Sequence, residues 1–594
     1  MITRKKAKLK KIFFLFLFFL IQVEAVDITL TSTLTDIKES TYTISSNILT
    51  LNSDGEEYVI SGTCTECQIA VAKEITTTIT LKSISIDNSA TGPFVIKKNA
   101  IVNLILEGES TITDKETDES SSDFEGAGLK FKSGSSLTIS GSGKLNVIST
   151  IKNGIKGAAS ANLTINGGVI EIAAVNNGLA SDNYVTINDG TFIIETSEGD
   201  GIKSDPDEDD TVSEGIVAIN GGTFTINSYN DGIQAKKKLV ITGGNFNIKT
   251  YTDGSSSSTF NKDEESAKGL KCSGNDTNNY NLTITGGNFV LNTADDSIHS
   301  DGNITILGGT FDISSGDDGV HADQYLILGK QNADNSLINL NIKKSYEGLE
   351  GSYVYIYSGT YSIISSDDGI NSAGDTDTEC GPGGNGNQPP GGAGGFRKTE
   401  KRYGNLRGKR LAECNSFHMY IYGGEIYINA ESDGLDANGN IIISGGNITV
   451  WGAKSGVDGD PIDLDGSLTI NGGTILAGGN HAMTQIERIA SNSQKYIYST
   501  NSYSANKIIY IVSDDTTIRK ITIPKNIQYL YYTSPNLDST YSFSESAGSK
   551  SASDSNSNST SDDDDSSDET FTIFNYDKGS HVNFIGLIIL LLIV

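Results

Sequence analysis

The sequence predicts an all-β protein, a parallel β-helix of about 21–24 residues per coil with a small C-terminal β module. A GG or DG turn followed by alternating apolar residues recurs, as in INGGTFTINS from 219 and ITGGNFVLNT from 284. Each copy is typical of two short strands joined by a tight turn. An acidic glycine motif such as SSGDDGVHAD, 314–323, returns every 21 to 24 residues where no insertion intervenes. A fixed period of this length indicates stacked coils.

Other repeat folds fit the sequence less well. Leucine-rich repeats need a leucine and asparagine consensus that is missing, and the calcium β-roll needs GGxGxD nonapeptides. A propeller blade needs about 40 to 50 residues. The composition of 66 glycines and 8 prolines is typical of a turn-rich β protein and not of collagen.

The remaining segments follow in chain order. Residues 1–25 combine a basic start, a short apolar run and a small-residue site, which is typical of a secretory signal peptide. Residues 571–594 end in an apolar run too short to span a bilayer, as in a GPI-attachment signal; a retained tail is the alternative. We therefore expect a secreted or cell-surface protein that meets the membrane only through a C-terminal anchor. The other predicted segments are a β segment at 26–57, the β-helix at 58–484 with a disordered Gly-rich and basic insertion at 373–415, the β module at 485–545 and an acidic Ser/Asp-rich linker at 546–570.

The five cysteines do not form a disulfide scaffold in a chain of this length. Cys64 and Cys67 form a single CxxC pair, which is a poor zinc signal without a second pair and is better read as closing a turn. Cys272, Cys380 and Cys414 fall in expected insertions, and a bridge between the last two would close one of them.

The net charge of −30 argues against nucleic acid as a partner, because nucleic-acid binding depends on a basic surface. A negative charge of this size favours cations as partners instead. Equivalent residues of neighbouring coils stack about 4.8 Å apart, so the acidic motif places carboxylates on one another. Two such charges repel by about 3 kcal/mol at an effective dielectric of 20.

A calcium ion would relieve this repulsion, because two calcium–oxygen bonds span roughly 4.6–5.2 Å and oxygen-rich sites favour calcium. One predicted row of ligands precedes the aligned glycine, and a second row, Asp205, Asp301, Asp323, Glu350 and Asp436, follows it. The full set of candidate Ca²⁺ ligands is Asp200, Asp205, Asp231, Asp295, Asp296, Asp301, Asp317, Asp318, Asp323, Glu347, Glu350, Asp367, Asp368, Asp433 and Asp436.

Two alternatives stay open at this point. A single Asp before a glycine also serves as an ordinary turn former, so some of these carboxylates need bind no metal. His299 and His321 occupy the same phase in adjacent coils and are metal ligands, acid/base groups or an outer polar ladder.

Several stretches carry a family resemblance, among them EGDGIKSD from 198, DDSIHSDGNITILGG from 295 and SDDGINSAGD from 366. They resemble a family of secreted, carbohydrate-binding β-helix proteins, and the likeness runs from about Tyr58 to Asn480. The resemblance implies a right-handed parallel β-helix like that of pectate lyases, several bound calcium ions, and binding of acidic polysaccharide such as polygalacturonate, and of cellulose. The insertion at 373–415, the acidic linker and the apolar end depart from the family pattern.

The expected function is calcium-dependent binding of a polysaccharide. The alternatives are a pectate-lyase-like enzyme and a structural adhesin without sugar specificity; no fixed catalytic base is visible, which disfavours the lyase. Candidate carbohydrate contacts are Tyr355, Tyr357, Tyr422, Arg397 and Arg402. Candidate glycosylation sites are Asn162, Asn275 and Asn558.

Overall fold

The structure is a computed structural model that describes residues 25–273, 281–373, 417–480, 491–492 and 494–551. These residues form 48 strands and two short 3-10 helices, Gly254–Ser256 and Asn335–Leu337, which confirms the predicted all-β class. One hydrogen-bonded network contains 44 of the strands, and the other four form a separate sheet. The predicted signal peptide, insertion and anchor signal lie outside the described residues apart from Ala25 and Ala373.

Parallel pairing divides the large network into three ladders, named A, B and C, and the chain visits them in that order in each coil. Ladder A contains Val26–Leu30, Ile101–Glu107, Ser136–Gly141, Asn162–Ile165, Tyr184–Ile187, Ile216–Ile219, Lys238–Ile241, Asn281–Ile284, Asn303–Ile306, His418–Ile421 and Ser491–Asn492. Ladder B contains Glu109–Asp114, Lys144–Ser149, Val169–Ala174, Thr191–Thr196, Thr223–Ser228, Asn245–Thr250, Asn288–Thr293, Gly309–Ser315, Ile338–Lys344, Thr360–Ser365 and Glu425–Ala430.

Ladder C consists of strands of three to five residues. It contains Ile48–Leu51, Gln68–Val71, Phe94–Ile96, Ala127–Phe131, Asn153–Gly157, Leu179–Ser181, Ile202–Ser204, Ile233–Ala235, Leu270–Cys272, Ile298–Ser300, Ile370–Ser372 and Leu435–Ala437. Longer strands continue from A into B, namely Glu57–Cys64, Thr76–Asn88, Asn440–Trp451 and Leu468–Gly479, or from C into A, namely Val320–Leu328 and Leu349–Ile356.

The register between coils follows the period of the sequence. Asn281 and Asn303 are paired in ladder A and lie 22 residues apart. Asn188 and Asn220 are 32 residues apart, because the loop after Ser204 lengthens that coil. Insertions therefore leave the ladders at turns without changing the register of the strands.

The core is a column of side chains that point inward from all three ladders. On ladder B the rings of Phe192, Phe224, Phe246, Phe289 and Phe311 stack face to face, with each centroid 4.7 Å from the next. These rings are almost fully buried. The phenylalanine of the repeated GGxF motif thus falls at the same position in each coil, and these rings form one continuous aromatic stack.

The turns between ladders A and B are also tied coil to coil. The side-chain amides of Asn166, Asn188 and Asn220 form hydrogen bonds of 2.7 and 2.8 Å that run along the axis. Such a ladder satisfies polar groups that a turn would otherwise leave to solvent.

The N-terminal end already contributes to the ladders. Val26–Leu30 pairs in parallel with Glu57–Cys64, so coiling begins within the segment predicted as a separate piece, 26–57. Ile37–Lys38 and Tyr42–Ser45 add a short antiparallel hairpin there. Cys64 and Cys67 are bonded to each other, as expected for a pair that closes a turn.

The C-terminal end closes the coil stack. Tyr529–Thr533 pairs antiparallel with Leu468–Gly479 and with Tyr496–Ser499. The small second sheet consists of Ile508–Ser513, Thr516–Thr522, Ser542–Ser544 and Lys550–Ser551. Its residues Ile509 and Ile521 share a second core with Trp451 and Leu476 of the last coils.

Cys272 is a buried residue of ladder C, so the expectation that it lies in an insertion is wrong. Helices are also scarce in this fold. Among the residues that the structure describes, no helix is long and apolar enough to cross a membrane.

We predict that Phe246→Ala destabilises the protein by about 3–5 kcal/mol, because it opens a cavity between two stacked rings. Thermal unfolding monitored by circular dichroism measures this change. Val290→Ala is the matched control on ladder B, since Val290 is 50% exposed and its truncation removes little buried surface. Equal melting temperatures for the two variants would contradict the role of the stack.

Candidate functional site

Two columns of polar side chains run along one edge of the coil stack. The turn column consists of the residues that directly precede the aligned glycine or its equivalent. The backbone N–H of the glycine in one coil donates to the carbonyl oxygen of the turn-column residue in the next coil, as Gly201 does to Asp231. The facing column consists of the second residues of the ladder C strands. The turn column contains Asp200, Asp231, Lys268, Asp296, Asp318, Glu347, Asp368, Asp433 and Asp460. The facing column contains Lys203, Gln234, Lys271, His299, His321, Glu350, Asn371 and Asp436.

The aligned glycines are required because neighbouring coils approach closely at this turn. A Cβ atom on Gly201 would lie 2.6 Å from the carbonyl oxygen of Gly232, a distance that real side chains do not tolerate. The turn column is therefore held against the next coil by backbone contact.

In most turn-column carboxylates, one oxygen accepts a hydrogen bond from the backbone of the next coil. Asp296 Oδ1 accepts a hydrogen bond of 3.0 Å from the backbone N–H of Asp318, and Asp318 Oδ1 accepts one of 3.0 Å from Glu347. Asp200 and Asp368 accept from the following coil in the same way. One oxygen of each of these carboxylates thus holds the backbone of the next coil, and the second oxygen is left to face the cations or acids nearby.

Lysines neutralise the N-terminal part of the columns. Lys203 lies 2.9 Å from Asp200, and Lys271 lies 3.0 Å from Asp231. Although burial acts to raise the pKa of Asp231, Lys271 and the hydrogen bonds from Ser266 and Lys268 hold it below its ordinary value.

Lys268 takes the place of a carboxylate in the turn column. Its ammonium group lies 2.8 Å from both Asp295 and Asp296. Burial opposes its charge, but Asp296 and Asp295 outweigh burial and raise the pKa of Lys268. Lys268 is not among the site residues predicted from the sequence. In SAKGLKCSG, however, it directly precedes the aligned glycine, which is the position that aspartate occupies in other coils. Lys262, from the loop before it, pairs with Asp317 at 2.6 Å.

Histidines occupy the middle of the facing column. His299 Nδ1 lies 3.0 Å from Asp296 Oδ2, and its Nε2 lies 3.0 Å from Asp301 Oδ1. Burial and Lys268 act to lower the pKa of His299, but Asp296 and Asp301 outweigh them and raise it to about 9. The rings of His299 and His321 meet edge to face, with centroids 5.1 Å apart.

The C-terminal part of the columns has no such cations. Among the described ranges, no lysine or arginine forms an ion pair with Glu347, Asp368, Asp433, Asp436 or Asp460. Burial followed by mutual repulsion raises their pKa values, to about 9 for Glu347, about 8 for Asp436 and about 7 for Asp433.

The pKa values of the two remaining acids, Asp368 and Asp460, are raised in the same way. Burial raises the pKa of Asp368 to about 6 and that of Asp460 to about 7, the second with help from Asp463. This end of the columns therefore concentrates carboxylates that no lysine or arginine of the described residues neutralises.

The register corrects one sequence-based alignment. Glu350 pairs with His321, and Asp436 pairs with Asn371, so both belong to the facing column and not to the row of Asp205, Asp301 and Asp323. They lie two residues after the aligned glycine, whereas the others lie four residues after it. Asp367 lies in the turn, adjacent to Asp368, and is half-buried.

The C-terminal group fits a hard cation such as Ca²⁺ by its donor set. All of its candidate donors are oxygens, and Asp460 Oδ1 and Asn371 Oδ1 are buried without a hydrogen-bond partner. Orphaned buried oxygens of this kind call for a cation or water. The lysine-paired carboxylates Asp200, Asp205 and Asp231 fit a metal less well, because an ammonium group already lies within 3.8 Å of each.

A separate aromatic surface lies on ladder A. Tyr355 stacks on Tyr420 with centroids 4.9 Å apart, and Tyr357 stacks on Tyr422 at 5.0 Å, both pairs tilted by 6°. Tyr325 and Tyr353 stack beside them at 4.9 Å. These rings are half-buried or exposed, and together they form a flat stripe that we call the tyrosine stripe: Tyr325, Tyr353, Tyr355, Tyr357, Tyr420 and Tyr422.

Other predicted contacts have different outcomes. Asn162 is half-buried in a strand, and its amide oxygen accepts from Asn183, which leaves it poorly placed for a glycan. The candidates Arg397, Arg402, Asn275 and Asn558 lie outside the described residues.

Residues 45–319 match a protein-family model described as carbohydrate-binding domain-containing protein. A search of curated proteins gives no match. Among solved structures, the chain is similar to a polysaccharide lyase-like protein from C. thermocellum, solved as a gadolinium derivative. The two are 28% identical over 38% of this chain and 91% of that one, with a TM-score of 0.34. The family match supports carbohydrate binding in general.

We predict that the chelated protein loses stability as pH rises from about 5 to about 9. Carboxylates whose folded-state pKa is raised stabilise the fold below their unfolded pKa of about 4, and this contribution is lost as each deprotonates. The window follows from the pKa values of about 6 to about 9 at Asp368, Asp433, Asp460, Asp436 and Glu347.

The measurement is the melting temperature against pH, in chelator and in calcium. Asp436→Asn should flatten the curve in chelator, while Asp207→Asn, at an exposed loop position, should leave it unchanged. A chelated protein whose stability is constant or rises over this range would contradict the assignment of repelling carboxylates.

Proposed function

We propose that the protein is a calcium-dependent carbohydrate-binding protein of the cell surface or secreted space that recognises acidic polysaccharide of the polygalacturonate type, and cellulose. The single observation that carries the proposal is the match of residues 45–319 to a carbohydrate-binding family. The coil is proposed to be a right-handed parallel β-helix; the repeated A, B, C order of parallel strands supports the parallel coil, and the right hand is what the family resemblance implies. Secretion and a C-terminal GPI anchor are part of the same proposal.

The metal part rests on the C-terminal end of the two columns. Asp433, Asp436 and Asp460 would hold calcium there, with Asp368 and Glu347 beside them. A calcium ion bound at this edge has coordination positions that water or another carboxylate can fill. It can thereby link the acidic protein to an acidic sugar, which explains how two negatively charged partners associate.

The sugar part rests on the tyrosine stripe. Each of these rings stacks on the ring of a neighbouring coil, so the stripe presents ring edges and hydroxyl groups at one coil spacing, and contact with them needs no sugar charge. The stripe therefore provides a surface for a neutral chain such as cellulose, whereas the calcium edge suits a polyuronate.

A polysaccharide lyase is the second candidate, and Lys268 is the observation that bears on it. A lyase needs a base beside a calcium-bound uronate. Lys268 lies in the acidic turn column, but Asp295 and Asp296 keep its ammonium group protonated at neutral pH. This charge state disfavours elimination and leaves binding as the better-supported activity.

We predict that the full chain is retained on insoluble polygalacturonate in calcium and released by chelator. The double variant Asp433→Asn with Asp436→Asn should lose at least tenfold in calcium-dependent retention while still folding, as checked by circular dichroism. Wild-type retention by this variant, or retention of the wild type in chelator, would contradict ion-bridged binding. Release of unsaturated sugars by the wild type would indicate the lyase.

Retention on cellulose tests the tyrosine stripe separately. Tyr355→Ala with Tyr420→Ala should weaken it about tenfold, since stacked aromatic contacts contribute roughly 0.5–1.5 kcal/mol each. Tyr184→Ala is the matched control, because Tyr184 is exposed on ladder A away from the stripe. Equal loss in both variants would show that the stripe is not the contact surface.

A further inference from the structure

The cluster around His299 and His321 differs in chemistry from the oxygen-only end of the columns. His299 Nδ1, Asp296 Oδ2 and His321 Nδ1 lie within 4.8 Å of one another, and His321 Nδ1, Asp318 and Glu350 form a second such group. Two imidazole nitrogens next to carboxylates are a donor set that calcium does not favour, whereas zinc and related divalent metals do.

A second observation points to a ligand between these atoms. His299 is 9% exposed, and its Nδ1 is buried without a hydrogen bond although Asp296 Oδ2 lies only 3.0 Å away. Loss of the Nδ1 proton, with Nε2–H still donated to Asp301, would turn the Nδ1 lone pair toward that carboxylate oxygen. A metal would take the place of this proton and would share the Asp296 oxygen with Lys268, whose ammonium group lies 2.8 Å from it.

The carboxylates behind the rings fit the same interpretation. His299 Nε2 lies 3.0 Å from Asp301, and His321 Nε2 lies 3.7 Å from Asp323. Histidine ligands usually donate their other ring N–H to a carboxylate, which fixes the ring and increases its basicity. Asp301 is within hydrogen-bond distance of the His299 ring, whereas Asp323 lies beyond that distance from His321. The Nδ1 atoms of both rings lie near turn-column carboxylates.

The distances also suit a metal. Metal–ligand bonds of about 2.0–2.2 Å place neighbouring ligand atoms roughly 3–3.6 Å apart. His299 Nδ1 and His321 Nδ1 lie 3.0 and 3.8 Å from Asp296 Oδ2. His321 Nδ1 lies 3.4 Å from both Asp318 Oδ2 and Glu350 Oε2.

We propose that His299, His321 and Asp296, with Asp318 or Glu350, form a binding site for a zinc-like divalent transition metal, distinct from the calcium edge. The ligands come from two successive coils with Asp318, or from three with Glu350, so the metal would clamp the middle of the stack. A metal bound only by the folded chain stabilises it by mass action. This inference does not depend on which polysaccharide the protein binds.

The test uses the full chain, stripped of metal and then exposed to Zn²⁺ in an excess of Ca²⁺ at pH 7.5. After gel filtration, elemental analysis should find about one zinc per chain. Titration with Co²⁺ should give visible absorption bands typical of nitrogen coordination. A chain that retains no zinc under these conditions would overturn the proposal, because a proton would then occupy the position proposed for the metal.

Variants identify the ligands. His299→Asn with His321→Asn should abolish zinc retention and the cobalt bands, and Asp301→Asn should weaken affinity about 10–100-fold through the ring it orients. His418→Asn is the matched control, because His418 lies on ladder A beside Tyr353 and Tyr420. Circular dichroism and melting curves check folding, and equal zinc retention by the double variant and the control would overturn the assignment.

Discussion

The spacing between coils is the constraint on which the rest of the structure depends. Parallel pairing sets it, and the stacked phenylalanine rings show it directly, with centroids 4.7 Å apart. The same spacing is favourable for rings and for amides, which gain a contact with each added coil. It is unfavourable for carboxylates, which repel when they are stacked at this distance and buried.

The columns beside ladder C meet this repulsion in three ways along the axis. Lys203, Lys271 and Lys268 neutralise the first carboxylates, and His299 and His321 lie among the next ones. In the last coils no lysine or arginine of the described residues pairs with the carboxylates, and their pKa values are raised. Burial also raises the pKa values of Asp200 and Asp318, so the two ends differ in their lysine pairs, and the proposed calcium site lies where the described residues form no such pair.

Much of this architecture could be predicted from the period of the sequence. The phase of GGxF places Phe246 in the core, and the acidic motif places Asp318 in the turn column, because both depend only on position within a coil. Lys262 could not be predicted, since a loop brings it to Asp317 from 55 residues away. Glu350 and Asp436 lie two residues after the aligned glycine and not four, so the spacing in the sequence separates them from the row of Asp205, Asp301 and Asp323, as the strand register does.

The measurement that tests the central claim most directly is the position of calcium along the columns, found from anomalous scattering in crystals grown with calcium. We expect peaks beside Asp433, Asp436 and Asp460, and no peak beside the lysine-paired Asp200 and Asp231. Calcium beside the lysine-paired carboxylates, or no calcium at the C-terminal coils, would contradict it.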